Sequence, residues 1–246
     1  MAYREEETAM YTLSIDGRVQ NALLTFLGPL ICVYLVWGAL GQKAQDEGAI
    51  SEYLQQRLDI ANKAVRERPN SPSALASRGI VLHLQGAYDN ALKDFNKALS
   101  IEPNAYRALL GRGALYIDMQ KYNAALEDFN RYIEAKPDDS RGFVGRGRAL
   151  TGLGLMAKAH ENYTKAQLLD PEDSEAYKYE GRTYMLVGKW AEAVKSLSES
   201  IRRFDADAEV FAWRAEAYRQ AGDITAAKSD ELTHSRLVGD SGVEGE

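Results

Sequence analysis

Residues 72–105 read PSALASRGIVLHLQGAYDNALKDFNKALSIEPNA, and residues 106–139 read YRALLGRGALYIDMQKYNAALEDFNRYIEAKPDD. Set one beneath the other, they place Gly79 over Gly113, Ala91 over Ala125, Phe95 over Phe129 and Pro103 over Pro137. The same 34-residue step carries the glycines on to Gly147 and Gly181, the alanines to Ala159 and Ala193, and the large apolar residues to Tyr163 and Leu197. The proline column runs Pro69, Pro103, Pro137, Pro171. Columns that stay in register over successive periods are the mark of an internal repeat.

Each period holds two helical patterns, such as Leu75 to Leu84 and Tyr88 to Ile101. A turn position divides them, reading Gly86, Gln120, Gly154, Gly188 and Gly222. Glycine within the first helix costs about 1 kcal/mol against alanine, so its recurrence needs a packing reason. The missing side chain lets the second helix approach closely, with the alanine column facing it. The aromatic column then fills the gap between successive units. Proline after each second helix stops that helix and starts the next. One hairpin cannot cover its own apolar stripe, so the units must stack into a solenoid.

In its unit length and its Gly, Ala, Phe and Pro columns the chain resembles the tetratricopeptide repeat family. The resemblance covers residues 72–239 as about five units and implies an all-α, right-handed solenoid that binds proteins. The family's first-helix tyrosine column is kept in part, as Leu82, Tyr116, Leu150, Tyr184 and Tyr218. From Ala208 the fifth unit drifts. Trp213 stands where the other units are expected to carry a small or polar residue, Ala215 replaces the glycine, Glu231 falls in the aromatic column, and Asp205 replaces the preceding proline. Such drift suits a terminal unit, whose outer face meets water.

A second regularity runs through the units. Just before the glycine stand Arg78, Arg112, Arg146, Glu180 and Arg214; sixteen residues later stand Asp94, Asp128, Asn162, Ser196 and Asp230. Where the first partner becomes Glu180, the second loses its charge as Ser196. This is the trace of an ion pair across each hairpin, and it assigns these arginines to structure.

The N-terminal third is organised differently. Residues 1–20 form a polar tail of mixed charge, expected to be flexible or ordered only on a partner. Residues 22–40, ALLTFLGPLICVYLVWGAL, carry no charge. As a helix they would span about 28 Å, one hydrocarbon core. The segment 21–41, from Ala22 to Leu40, is therefore expected to be a transmembrane helix. Gly28 and Pro29 would kink it, and Tyr34 and Trp37 would sit at headgroup level. Ala39-Leu40-Gly41 has the form of a cleavage site, but the apolar run is long for a signal core and the tail before it is acidic, which favours an uncleaved anchor. Arg18 and Lys43 flank the span evenly. A short tail before a single anchor points to the bacterial inner membrane, with the repeats outside the cytoplasm.

Residues 42–71 are expected to form a connecting, capping amphipathic helix, with Ile50, Tyr53, Leu54, Leu58, Ala61, Ala64 and Val65 at three- and four-residue steps. Ala64 and Pro69 fall in register with Ala98 and Pro103, so this helix reads as the second helix of a half-unit. The closing stretch, 240–246, is acidic and patternless and is expected to be disordered.

Composition narrows the function. The net charge of −6 and pI near 5.3 argue against nucleic-acid binding as the main role. The single cysteine, Cys32, excludes an internal disulfide and a cysteine metal cluster. His83, His160 and His234 lie far apart, and no nucleophile turn, phosphate loop or metal-ligand spacing appears. The expectation is no enzyme, no cofactor, no metal and no small-molecule substrate. Asn162-Tyr163-Thr164 has the form of a glycosylation acceptor, but Tyr163 belongs to the packing column.

In this architecture the first helices line a concave groove. Stepping along one face of each gives Ser73, Ala76, Ile80 and His83; Arg107, Leu110, Ala114 and Ile117; Arg141, Val144, Arg148 and Thr151; Glu175, Lys178, Arg182 and Met185; and Glu209, Ala212, Glu216 and Arg219. The middle three units hold five cations, Arg107, Arg141, Arg148, Lys178 and Arg182, against one anion, Glu175. Leu110, Ile117, Val144 and Met185 are interleaved. An acidic peptide segment with apolar anchors would suit such a wall. The resemblance also raises a carboxylate clamp of lysine, asparagine and arginine on the first helices. Ala76, Ile80, Gly111 and Gly145 stand where that set would be needed, so the clamp is rejected for units one to three. The expected function is a membrane-anchored scaffold that binds protein partners through its groove in assembly of an envelope or membrane-protein complex. The alternative is a structural subunit held in such a complex by its span.

Overall fold

The structure, a computed structural model, describes residues 43–239, and within them eleven helices and no strand. Helix α1 (Lys43–Glu67) precedes five hairpins. These are α2 (Pro72–Leu84) with α3 (Tyr88–Ile101), α4 (Tyr106–Asp118) with α5 (Tyr122–Ala135), and α6 (Ser140–Gly152) with α7 (Met156–Leu169). The fourth is α8 (Ser174–Leu186) with α9 (Trp190–Arg203), and the fifth α10 (Ala208–Ala221) with α11 (Ile224–Leu237). Each first helix packs on its own second helix, on the second helix before it and on the neighbouring first helices. The tail 1–20, the span Ala22 to Leu40 and the closing 240–246 lie outside the described residues. Among the described residues no helix is long and apolar enough to cross a membrane.

The column residues explain the stacking. A Cβ added at Gly79, Gly113, Gly147 or Gly181 would lie 2.6–2.8 Å from Phe95, Phe129, Tyr163 or Leu197 of the same hairpin. The facing alanines, Ala91, Ala125, Ala159 and Ala193, are wholly buried. The same rings also reach into the following unit: Phe95 fills the space at Gly111, and Phe129 that at Gly145, where a Cβ would fall only 2.2 Å away. One aromatic side chain thus joins three helices. The turn position is left-handed throughout, at φ 75° for Gly86 and 89° for Gly222, and Gln120 adopts it at 58° in the one unit that lacks glycine there.

Helix starts are set by side chains. Ser71, Asp139, Asp173, Asp207 and Asp223 accept hydrogen bonds from first-turn amides of α2, α6, α8, α10 and α11. In α1, Leu54, Ala61 and Val65 are buried and Tyr53, Leu58 and Ala64 half-buried, so the apolar stripe faces the first hairpin. One expectation needs correcting. Trp213 is not an isolated departure, because Tyr179 holds the same position in unit four, where units two and three have Gly111 and Gly145. The two rings lie against each other, with centroids 6.4 Å apart.

A candidate protein-binding groove

The arginines that precede the glycines form the hairpin ion pairs. Arg78 donates to Asp94 at 2.6 and 2.7 Å, Arg112 to Asp128 at 2.8 and 2.7 Å, and Arg214 to Asp230 at 2.7 and 2.8 Å, each through both Nε and Nη2. Arg146 donates to Asn162, and Ser196 donates to Glu180, where the charges have changed. The structure adds a third corner. Nη1 of Arg78, Arg112, Arg146 and Arg214 reaches Asn62, Asn96, Asn130 and Ser198 on the second helix of the preceding unit. That column also has the 34-residue period and was legible in the sequence. Burial raises the Asp128 carboxyl above its usual range even though Arg112 pulls it down, so the carboxylate depends on Arg112 to hold its charge.

The concave wall is less cationic than its sequence tally. Lys178 is 1% exposed, with Nζ 2.7 Å from Asp207 and 2.9 Å from Glu209. Burial alone would lower its pKa, but Tyr179, Asp207 and Glu209 outweigh burial and hold it above the usual lysine value. Its place in the helix is that of Ala76, Leu110 and Val144, all buried between neighbouring first helices. Leu110, Val144 and Lys178 are therefore packing residues with no surface to offer a ligand. Arg141 is also engaged: Nε and Nη2 donate to Asp139, at 2.9 and 2.6 Å. Burial pushes Asp139 up, yet hydrogen bonds from Arg141 and Tyr132 leave it below its usual value. Arg107 donates to Ser77, and buried His83 pairs with Asp118 at 2.8 Å. Ile117 and Met185 are half-buried. The charge excess fails because the sequence stripe omits the capping aspartates Asp139 and Asp207, which reach into the wall from outside it.

Arg148 and Arg182 stand apart. Each guanidinium lies over a ring of the next unit, with Arg148 Cζ 4.3 Å from the Tyr179 centroid and Arg182 Cζ 5.0 Å from that of Trp213. Lys178 Nζ lies 5.1 Å from the Trp213 ring, so cations and rings form one continuous row. Neither Arg148 nor Arg182 has a hydrogen-bond or ion-pair partner among the described residues. Burial would lower the Arg148 pKa, but Tyr179, Glu175 and Asp118 raise it, so the group stays charged. A guanidinium held over a ring by cation–π attraction can still donate its N–H groups in a fork to a carboxylate or carbonyl. The motif repeats once: an arginine of one unit, then an aromatic residue 31 positions later, as Arg148 with Tyr179 and Arg182 with Trp213. Units one and two have Ile80 with Gly111 and Ala114 with Gly145 instead. Among the described residues no cluster of His, Cys, Asp and Glu could hold a metal ion.

Comparison with known proteins agrees with this architecture. One tetratricopeptide repeat model matches residues 82–143, and another matches 49–108 and 179–228, together more than half of the chain. The chain belongs to the tetratricopeptide repeat family and is a protein-interaction scaffold of that type. Among solved structures it is similar to MamA, residues 41 to the end, from Desulfovibrio magneticus RS-1, at 27% identity and TM-score 0.52, covering 67% of this chain and 97% of that one. It is also similar to a thermophilic tetratricopeptide repeat protein, TTC0263 of Thermus thermophilus, at 21% identity and TM-score 0.64, covering 70% and 93%. PilW, a widely conserved type IV pilus biogenesis factor, aligns at 19% identity and TM-score 0.66, covering 77% and 88%. The last two likenesses concern the fold alone. No curated protein matches the sequence.

Proposed function

We propose that the concave wall of units three to five seats a segment of a protein partner, and that residues 22–40 tether this scaffold to a membrane where it serves complex assembly. The observation that carries the groove reading is the pair of stacked arginines. Arg148 and Arg182 are held over rings and lack an acceptor among the described residues, so a ligand carboxylate can take their N–H groups without displacing an existing hydrogen bond. An acidic segment with apolar residues beside Met185 and Trp213 matches these contacts. The tether rests on the uncharged run from Ala22 to Leu40. Holding the groove in a thin layer at the bilayer raises the effective concentration of membrane partners, so modest affinity suffices. On this reading the span lies in a bacterial inner membrane and the repeats stand outside the cytoplasm.

The test is photo-crosslinking in intact membranes from a benzophenone residue at Met185, with and without Arg148→Glu and Arg182→Glu. The expected result is a discrete partner adduct that the double variant loses while its thermal unfolding is unchanged. An adduct of equal yield in the double variant would defeat the groove assignment.

A further inference from the structure

The direction from which the N-terminal segment joins the solenoid follows from the register of α1. Asn62 accepts from Arg78 as Asn96 does from Arg112, and Pro69 precedes unit one as Pro103 precedes unit two. Residues 54–67 of α1 therefore occupy a second-helix slot, equivalent to Tyr88–Ile101. Every second helix begins at the edge where first helices turn into second ones. Helix α1 does not stop there. It continues back from Leu54 to Lys43, which extends it past that edge by about 16 Å at 1.5 Å per residue. The chain before residue 43 thus joins the molecule on the hairpin-turn edge.

That same edge is apolar, and most so away from α1. Leu155, Leu186, Val187 and Ile224, in or beside the turns of units three to five, are 43–59% exposed. Leu153, Met156 and Trp190 lie among them, half-buried. The equivalent turns of units one and two carry Gln85, Gly86, Ala87 and Tyr88, then Met119, Gln120, Lys121 and Tyr122; of these only Tyr88 is an exposed large apolar side chain, at 37%. Leu155, Leu186, Val187 and Ile224 lie outside the buried core of the hairpins. Monomeric soluble surfaces scatter such residues singly; a run over consecutive turns marks an interaction site.

We infer that the hairpin-turn edge of units three to five rests on the lipid surface into which residues 22–40 insert, with Leu155, Leu186, Val187 and Trp190 in the headgroup layer. This rests on the membrane tether described above. The gradient along the edge fits the geometry of a strut. The projecting part of α1 holds unit one off the bilayer, while units three to five lie roughly 30–40 Å farther along the axis at 8–10 Å per helix layer. A tilt of roughly 25° then brings their turns to the surface. Trp190 supplies an amphipathic ring suited to the interface, and Lys189 beside it can reach lipid phosphates. Asp223, next to Ile224, opposes deep insertion, so the contact is shallow. The consequence for function is orientation: the groove opens sideways along the membrane, towards partners held in the same bilayer.

The test uses the full chain carrying Cys32→Ser, reconstituted into vesicles of phosphatidylcholine and phosphatidylglycerol that contain brominated acyl chains. Single cysteines replace Leu155, Val187 or, as a control on the outer face of α7, Leu168, and each carries bimane. Flotation with the vesicles is measured first, then quenching. The expected result is co-flotation with at least about twofold stronger quenching at positions 155 and 187 than at 168, as for probes at headgroup depth. Co-flotation with equal quenching at all three positions overturns the inference and leaves the tether intact. Equal lipid quenching with positions 155 and 187 also shielded from iodide overturns it in favour of a protein cover. Failure to float, with native far-ultraviolet circular dichroism, removes the tether itself.

Discussion

Arg112 and Arg148 are separated by little more than one repeat, and the molecule uses them in opposite ways. Inside the hairpin, Arg112 commits its donors to Asp128 and Asn96, and its aspartate is almost fully buried. On the groove wall, Arg148 lies on the Tyr179 ring with no acceptor among the described residues. The first arrangement holds three helices together; the second holds a charge in readiness. The comparison teaches that the residue type is uninformative and the inventory of satisfied donors is what separates structure from function.

Five substitutions probe that contrast, and the largest effect belongs to a lysine that sits on the groove stripe but behaves like Arg112. Lys178→Ala leaves Asp207 buried without its cation, so urea unfolding should show a loss of about 3–5 kcal/mol. A loss under about 1 kcal/mol would return Lys178 to the wall. Next comes Arg112→Ala, expected to cost about 1.5–3 kcal/mol in the same assay because Asp128 is left in a dry site without its cation and bidentate donors. Arg78→Ala should cost less, because the Arg78 side chain is 27% exposed.

A smaller effect, with a pH signature, is expected for Arg141→Ala. The Asp139 carboxyl lies below its usual value in the folded protein, so its contribution to stability is complete above about pH 4 and lost as pH falls through the folded value. The variant should be about 1 kcal/mol less stable at neutral pH, and the deficit should shrink in unfolding curves taken below about pH 4. A deficit independent of pH would show that Arg141 acts by packing alone. The smallest stability change is expected at Arg148→Ala, within about 0.5 kcal/mol, alongside clear loss of the crosslinked partner. Were Arg148→Ala to destabilise as much as Arg112→Ala, the division between the two arginines would fail.

The sequence was sufficient for the repeat, for the number of hairpins and for the Arg–Asp pairs, because each follows from periodicity. Gly79 and Phe95 recur together since a ring needs an absent Cβ, and Arg112 with Asp128 recurs since a buried carboxylate needs its cation. Even the second acceptor column, Asn62, Asn96 and Asn130, was readable by the same step. Composition also marked residues 22–40 as apolar enough to span a bilayer, which is a statement about transfer free energy and needs no fold. Three-dimensional packing decided the rest. Lys178 reads as a groove cation until Asp207, a helix cap from the next unit, is seen to close over it. Leu110 and Val144 read as anchors until neighbouring first helices are found to approach closely enough to bury them. Arg148 becomes a candidate contact only because Tyr179, 31 residues later, is brought beneath it. Periodic packing is written in intervals along the chain, whereas the state of any one charge depends on which distant groups the fold places beside it.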